Sequence, residues 1–231
     1  MQPEVQTIAG YGGAVSAQQR NKVLRSTYTL LAISLVPTIA GAWLAMAMGL
    51  DKTMLKSPMI SLVAFLVGAF GFMFLIEKNK NSSMGVVFLL AFTFFMGVML
   101  SRLVGVVLGM QNGASLVMTA LGGTAGIFAV MAAVGTFVKK DLSGMGKFLM
   151  VGALVVFFGA IIGIIFQMPA LMLALTVMCL GIFSLFIMYD INRIVQGGET
   201  NYISATTALY LNIYNVFSSL LALLGIGNSS E

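Results

Sequence analysis

The stretch MYDINRIVQGGETNYISATTALYLNIYN, residues 188 to 215, ends one long apolar segment and begins a second that is unusually polar. Asp190 stands at the end of the first segment, where most of its neighbours are Leu, Ile and Phe. In the second segment, small and polar residues recur at spacings of three and four, which places them on one face of a helix. They are Asn201, Ala205, Ala208, Asn212, Asn215 and Ser219. Such a face is costly against lipid, so we expect this helix to be buried among other helices.

The composition of the whole chain is that of a membrane protein. Of its 231 residues, 59% are hydrophobic and 8% are charged, whereas a soluble domain carries roughly 25% charged residues. Apolar runs of about 20 residues, each enough to cross the ~30 Å hydrocarbon layer, recur along the chain. We predict an all-α integral membrane protein with seven membrane-spanning helices. Their predicted bounds are 28–49, 57–76, 84–107, 115–137, 146–166, 169–189 and 203–225.

The distribution of cations predicts the orientation of the chain. With the N-terminus inside, nine Lys and Arg residues fall on the cytosolic side and two fall outside, as the positive-inside rule requires. The nine are Arg20, Lys22, Arg25, Lys78, Lys80, Lys139, Lys140, Lys147 and Arg193; the two are Lys52 and Lys56, and Arg102 lies within or near the end of the third span. We therefore expect a cytosolic N-terminus and an external C-terminus. Because topology explains the positive charge, we expect no nucleic-acid partner.

The seven predicted spans account for nearly the whole chain. Residues 1–26 are predicted to be a flexible cytosolic tail without a cleavable signal peptide. Residues 27–227 form the membrane domain, and residues 228–231 form a short C-terminal tail. We predict no second, soluble domain.

Glycines four residues apart occur in or next to three of the predicted spans. The pairs are Gly105 and Gly109, Gly122 and Gly126, and Gly159 and Gly163. Small residues at this spacing let two helix backbones approach closely in a membrane. We predict that these glycines lie at helix–helix contacts.

The residue types present exclude several kinds of catalytic site. The chain contains no histidine, which rules out HExxH zinc sites and Ser-His-Asp triads. It also lacks the GxxxxGK[ST] phosphate-binding loop and the GxSxG nucleophile elbow. We therefore predict that the protein is not an enzyme and that it needs no cofactor.

Most of the acidic residues have an ordinary explanation. Four lie in predicted tails or loops, where we expect them to be solvated. These are Glu4, Asp51, Asp141 and Glu231. Glu77 ends the second span beside Lys78 and Lys80, which favours snorkelling or an ion pair. Glu199 precedes the seventh span, where a carboxylate is favoured as a cap by the positive end of the helix dipole.

Asp190 allows two interpretations. In the first, it lies in the headgroup layer and pairs with Arg193, three residues further along. In the second, it meets Asn212 near the cytosolic mouth of the bundle, where the two offer oxygens to a cation or form a proton-sensitive latch. The candidate ion- or proton-sensing residues are Asp190, Asn212, Asn215, Arg193 and Glu199. Any metal ion is expected at Asp190.

Three segments of the chain resemble a known family. YDINRIVQGGETNYISATTALYLNIYNVFSSLLALLGI is similar to the C-terminal signature of the Bax inhibitor-1 (transmembrane Bax inhibitor motif) family. VLRSTYTLL and VKKDLSGMGKFLMVG, which precede or enter predicted spans, resemble the family too. The Gly-Gly-Glu-Thr-Asn-Tyr turn and NKVLR are most similar to its bacterial YccA branch. The resemblance covers roughly residues 20–227 in the seven-span order.

The resemblance implies a fold of six helices around a central, polar seventh, and it implies two activities. Some members are pH-sensitive calcium leak channels that use two aspartates and an arginine latch. Asp190 matches the first aspartate, the second falls at Asn212, and the latch region at Lys78–Lys80 has no arginine. With one carboxylate instead of two, calcium binding is expected to be weak.

The YccA branch implies the other activity, because its members bind and restrain the membrane AAA protease FtsH. We predict an inner-membrane protein that modulates FtsH, with a calcium leak channel as the alternative. The predicted partners are FtsH and the lipid bilayer.

Overall fold

The computed structural model describes residues 16–140 and 142–229, and the regular elements in those residues are all α-helices. They are α1 (Ala17–Ala47), α2 (Leu50–Lys56), α3 (Pro58–Asn79), α4 (Ser83–Leu108), α5 (Gly113–Phe137), α6 (Ser143–Ile165), α7 (Pro169–Val195) and α8 (Tyr202–Ser229). Seven of them, all except the short α2, are long and apolar enough to cross a membrane. The predicted all-α class and its seven spans are confirmed.

Two helices, α1 and α7, extend furthest beyond the predicted spans. α1 begins at Ala17, because the Ser16 hydroxyl accepts a hydrogen bond from the backbone N–H of Gln19 and caps the helix. Residues 17–26, predicted as part of the tail, are therefore helical, and the remainder of that tail, residues 1–15, lies outside the described residues. α7 continues past residue 189 to Val195, so Asp190 lies inside the helix.

The connection between α1 and α3 differs most from its prediction. Gly49 adopts a left-handed backbone conformation, with φ of 71°, and α2 then packs along α4. Asp51 is only 8% exposed, and a Cβ on Gly105 of α4 would lie 2.7 Å from its Oδ2. The prediction that Asp51 is solvated is wrong, because α2 turns this side chain inward. Glu4, Asp141 and Glu231 lie outside the described residues.

Hydrogen bonds between distant segments identify which turns share an end of the bundle. The Arg20 guanidinium donates to the carbonyl of Val195 at 2.8 Å, and the Asn201 amide donates to the carbonyl of Lys80 at 2.9 Å. These contacts define the α7–α8 end, which also holds the α3–α4 and α5–α6 connections. At the opposite end, the Asn228 amide donates to the carbonyl of Gln111 at 3.2 Å. We call this the α2 end, and Arg102 lies on the part of α4 that approaches it.

α8 lies at the centre of the bundle. It packs against α1, α3, α4, α5 and α7, and a larger share of its residues is buried than in any other spanning helix. Its polar stripe is buried or half-buried throughout, as its sequence predicts. α6 packs against α7 at the periphery. A polar helix in the centre satisfies its side chains on neighbouring helices instead of exposing them to lipid.

Tyr210 joins three helices in the core. Its side chain is 2% exposed, and its hydroxyl lies 2.8 Å from the Thr38 hydroxyl of α1. The same hydroxyl donates to the backbone carbonyl of Thr93 in α4 at 3.3 Å. A buried hydroxyl without such partners is strongly disfavoured, so this contact fixes the depth of α8 relative to α1 and α4.

The backbones of α1 and α4 cross at two glycines. A Cβ on Gly97 would overlap the carbonyl oxygen of Thr38, and a Cβ on Gly41 would overlap the carbonyl oxygen of Phe94. No side chain fits at either position without moving a backbone. The sequence does not predict this crossing, because the two glycines lie on different helices and form no spaced pair.

The predicted glycine pairs divide into correct and incorrect ones. A Cβ on Gly159 would lie 2.9 Å from Leu175, and one on Gly163 would lie 2.6 Å from Met172, so both glycines pack against α7 as predicted. Gly105 packs against Asp51, as described above. Gly109 ends α4, and a Cβ there would approach only carbonyls of its own helix.

The prediction is wrong for Gly122 and Gly126. A Cβ on either would have no neighbour within 4 Å. Both glycines are exposed, while Thr124 of the same helix is buried. The pair therefore lies on the outer face of α5, and spacing alone does not distinguish that face from the packed one.

Replacing Gly97 with alanine should destabilise the protein, because the new methyl group meets the backbone of α1. We expect a loss of about 1–3 kcal/mol, seen as a lower thermal unfolding temperature of the purified protein. The matched control is Gly126→Ala, which adds the same methyl group in open space and should leave that temperature unchanged or slightly higher. Equal unfolding temperatures for Gly97→Ala and the parent would contradict the α1–α4 crossing.

Candidate functional site

The turn between α7 and α8 builds one wall of the site. α7 ends at Val195, and Gly197 adopts a left-handed conformation with φ of 82°, which reverses the chain. The N–H of Gly198 then donates to the carbonyl of Arg193 at 2.8 Å. A side chain at Gly197 would be strained in this conformation, so the glycine permits the turn.

Glu199 and Asn201 accept hydrogen bonds from different backbone N–H groups, Glu199 in the turn and Asn201 in the first turn of α8. The Glu199 carboxylate accepts the N–H groups of Thr200 and Asn201, each at 2.9 Å. The Asn201 side-chain oxygen accepts those of Ile203 and Ser204 at 2.9 and 3.0 Å. Asn201 is therefore the cap of α8, and the prediction that Glu199 caps it is wrong. Glu199 stands too far ahead of the first helical residue to reach the helix, and it orders the turn.

Arg193 pairs with Glu199 and not with Asp190. Its Nη2 lies 3.4 Å from Glu199 Oε2, and its Nε donates to the carbonyl of Gly198 at 3.3 Å. The interpretation in which Asp190 pairs with Arg193 is therefore not supported by the contacts. Partly exposed ion pairs contribute about 0–1 kcal/mol, so the main effect of Arg193 is to hold the turn in place.

Asp190 and Asn212 meet across α7 and α8. The Asn212 amide donates to Asp190 Oδ2 at 2.7 Å, and the Asn212 side chain is only 5% exposed. The structure thus brings together the two residues that the sequence analysis linked. The amide nitrogen faces the carboxylate, so Asn212 occupies one carboxylate oxygen instead of adding a ligand. This geometry favours a latch between two helices over a shared cation site.

Asn215, the other candidate amide, lies apart from this contact. Its Nδ2 donates to the carbonyl of Leu211 in the same helix at 2.8 Å. Its Oδ1 lies 4.0 Å from the Cys179 thiol of α7. Asn215 therefore does not belong to the Asp190 site.

A cleft of about 300 Å³ opens beside Asp190 at the α7–α8 end. Its charged lining residues are Glu77 and Lys80 from α3 and its end, Asp190 and Arg193 from α7, and Glu199 from the turn. Glu77 and Lys80 form an ion pair, as their spacing predicts. The cleft is lined by three acidic and two basic side chains. Both basic side chains are in ion pairs, Lys80 with Glu77 and Arg193 with Glu199. Asp190 is the acidic side chain of the cleft that has no ion pair among the described residues. Within residues 16–140 and 142–229, no cluster of three or more His, Cys, Asp or Glu side chains could hold a metal ion.

The sequence did not predict a role for two residues at this end of the bundle, and one of them, Asn192, secures it. Asn192 is buried, and its amide donates to the carbonyl of Val138 at 2.7 Å, in the connection after α5. Its side-chain oxygen accepts the N–H of Leu142 at 3.4 Å. Ser204 lines the cleft with a buried hydroxyl that has no partner among the described residues. The signal that could have identified Asn192 is an amide between Ile191 and the last turn of an otherwise apolar helix.

These features define a class of protein: a polytopic helical membrane protein that has a polar central helix with an acidic cleft beside it. The sequence model of the family described as "Inhibitor of apoptosis-promoting Bax1" matches residues 20–229. The chain belongs to this family, which confirms the resemblance drawn from its C-terminal segment.

Relatives are similar to the chain over nearly its whole length. The "Modulator of FtsH protease YccA" of Escherichia coli K12 is 39% identical over 208 residues, which cover 90% of this chain and 91% of that protein. The "Inner membrane protein YccA" of Escherichia coli O6:H1 gives the same identity and coverage. An uncharacterized membrane protein of Vibrio cholerae is 39% identical over 92% of this chain and 93% of its own length. The chain is thus a multi-pass membrane protein similar to YccA.

Replacing Asn212 with leucine should destabilise the α7–α8 contact, because Asp190 then loses its donor. We expect a cost of about 1–3 kcal/mol, measured by thermal unfolding of the purified protein. Asp190→Asn keeps an acceptor oxygen and should cost less. The double variant Asp190→Leu with Asn212→Leu should recover part of the loss, because no unpaired polar group remains. Strictly additive effects of the two leucine substitutions would show that the residues do not interact.

Proposed function

We propose that the protein is an inner-membrane protein that binds FtsH and restrains its proteolysis. The observation that carries this proposal is the similarity to E. coli YccA, named as a modulator of FtsH protease, over 90% of this chain and 91% of YccA. The similarity extends over 208 residues, so it includes most of the membrane bundle.

The packing of the bundle suggests how such a protein restrains a protease that extracts its substrates. The core is fixed by the Tyr210 contacts and by the α1–α4 crossing, and the loops of the α7–α8 end are held by Asn192 and Asn201. Extraction must break these contacts before the chain can be pulled from the membrane. A bound protein that unfolds slowly occupies the protease for longer.

Expression of the protein in E. coli cells that lack YccA should therefore lengthen the half-life of other membrane substrates of FtsH. Pulse-chase labelling of one such substrate measures this effect, and purification from the same membranes should recover FtsH with the protein. Gly97→Ala, which loosens the bundle, should be degraded faster and protect the substrate less, whereas Gly126→Ala should act like the parent. Unchanged substrate half-lives without copurification of FtsH would refute the proposal.

Cation leak, the alternative function, has narrower support. The observation in its favour is Asp190, a carboxylate beside a polar cleft at the α7–α8 end of the helical bundle. Reconstitution of the protein alone in liposomes that contain a calcium dye separates the two functions. A modulator of a protease gives no calcium flux above that of empty liposomes. Flux that disappears in Asp190→Asn would establish the channel instead.

We propose further that the α7–α8 end faces the cytosol. The cation count supports this orientation, because nine Lys and Arg residues belong to the segments of that end and three to those of the α2 end. A cytosolic α7–α8 end also presents the Asp190 cleft and its ordered loops to the cytosolic side of the membrane.

Cysteine labelling tests this orientation. In a Cys179→Ala background, a cysteine at Thr53 of α2 should react with a membrane-impermeant thiol reagent in intact spheroplasts. A cysteine at Ser82, in the α3–α4 connection, should react only after the membrane is opened, because both positions are exposed but lie at opposite ends. Labelling of position 82 in sealed spheroplasts would reverse the proposed orientation.

A further inference from the structure

A second and larger cavity lies between α3 and α6, with α8 behind it. Its volume is about 580 Å³, within the ~300–1,000 Å³ range of binding pockets for small molecules. Phe65, Met96, Phe157, Ala160 and Leu175 are among the residues that line it. We call it the α3–α6 cavity. Because its lining belongs mainly to spanning helices, its open side lies at membrane depth, where lipid is the solvent.

Three uncharged polar side chains of its wall donate hydrogen bonds to carbonyls of their own helices. The Thr176 hydroxyl donates to the carbonyl of Met172 at 2.7 Å, and the Ser218 hydroxyl donates to that of Tyr214 at 2.8 Å. The Asn215 amide is bonded to its own helix in the same way. A water molecule needs two to four polar partners to be stable in a cavity, and these groups offer few. The cavity therefore suits an apolar occupant.

A cation stands at the α2 end of this cavity. Arg102 lines it, is exposed, and has no ion pair or hydrogen bond with any residue in the described part of the chain. Asp51, the nearby acid on α2, is buried against Gly105. Lys52 and Lys56 add positive charge to the same end. The planar fork of arginine matches the oxygens of a phosphate group, so the charge at this end complements an anionic headgroup.

We propose that the α3–α6 cavity binds one acyl chain of an anionic phospholipid, whose phosphate group contacts Arg102. The lipid comes from the leaflet at the α2 end, where the cavity meets the headgroup layer. Transfer of an acyl chain from the bilayer into the protein gains little hydrophobic free energy, because both surroundings are apolar. Binding therefore depends on the packing contacts that fill the cavity and on the headgroup at Arg102. The lipid completes the packing of α6, which otherwise rests on α7.

Photocrosslinking in vesicles tests the position of the lipid. The full-length protein is reconstituted in phosphatidylcholine with a tracer of phosphatidylglycerol that carries a diazirine in one acyl chain, and crosslinked peptides are mapped by mass spectrometry. Crosslinks should concentrate on the residues that line the cavity. Ala160→Phe fills the cavity and should reduce them several-fold. Val155→Phe, at a position of the same helix where the side chain is 52% exposed, should leave them unchanged.

The headgroup is tested by the choice of tracer. The parent should crosslink phosphatidylglycerol in preference to a phosphatidylcholine tracer with the same diazirine chain. Arg102→Gln should abolish this preference, whereas Lys52→Gln, an equal loss of charge outside the cavity lining, should retain it. Equal losses in both variants would show a diffuse surface attraction and overturn the site.

Two other outcomes would also overturn the proposal. One is a crosslink pattern spread evenly over the exposed faces of α3 and α6, and the other is undiminished cavity crosslinking in a folded Ala160→Phe protein. If Ala160→Phe does not fold, Ala153→Leu fills the same cavity with a smaller change. A second measurement is independent of the crosslinker: added phosphatidylglycerol should raise the thermal unfolding temperature of the parent and of Lys52→Gln but not that of Arg102→Gln.

Discussion

The polar face of α8 is the constraint on which the rest of the bundle depends. A helix with amides and hydroxyls along one face is unstable against hydrocarbon, where an unpaired polar group costs several kcal/mol by typical estimates. The other helices must therefore surround it, and α1, α3, α4, α5 and α7 do so. At its middle, Tyr210 reaches Thr38 on one neighbour and Thr93 on another. The centre of the fold is thus specified by hydrogen bonds, in a protein whose spanning helices expose many large apolar side chains.

The close crossing of α1 and α4 follows from the same contacts. Thr38 and Thr93 each lie about one helical turn from the glycines that form the crossing, Gly41 and Gly97. One tyrosine hydroxyl can reach both helices only if their backbones approach closely at that level. Without hydrophobic attraction between helices in lipid, such close packing and the polar contacts are the main sources of association. The glycines and Tyr210 therefore act as one structural unit.

The sequence predicts those features that depend on a property repeated over many residues, such as hydropathy or the spacing of polar side chains. Seven apolar segments identify the spans, and the three- and four-residue spacing on α8 identifies its buried face. The sequence also predicts that Asp190 and Asn212 are neighbours. Features that depend on which helix lies opposite are not predicted. Gly122 and Gly97 both lie inside apolar spanning segments, yet one faces outward and the other meets a backbone. Asp51 is buried because α2 folds onto α4, and Asn201 caps α8 because the Gly197 turn places Glu199 too early.

The polar stripe of α8 explains both cavities, because its amides bond in two different ways. Near the α7–α8 end, Asn212 bonds across to Asp190 and holds α7 against α8. One turn further, Asn215 and Ser218 bond to carbonyls of their own helix. Groups that are satisfied within α8 do not draw another helix toward it. α6 accordingly packs on α7 through Gly159 and Gly163 and stands away from α8. The space left between them is the α3–α6 cavity, so its apolar character results from hydrogen bonds that close within one helix.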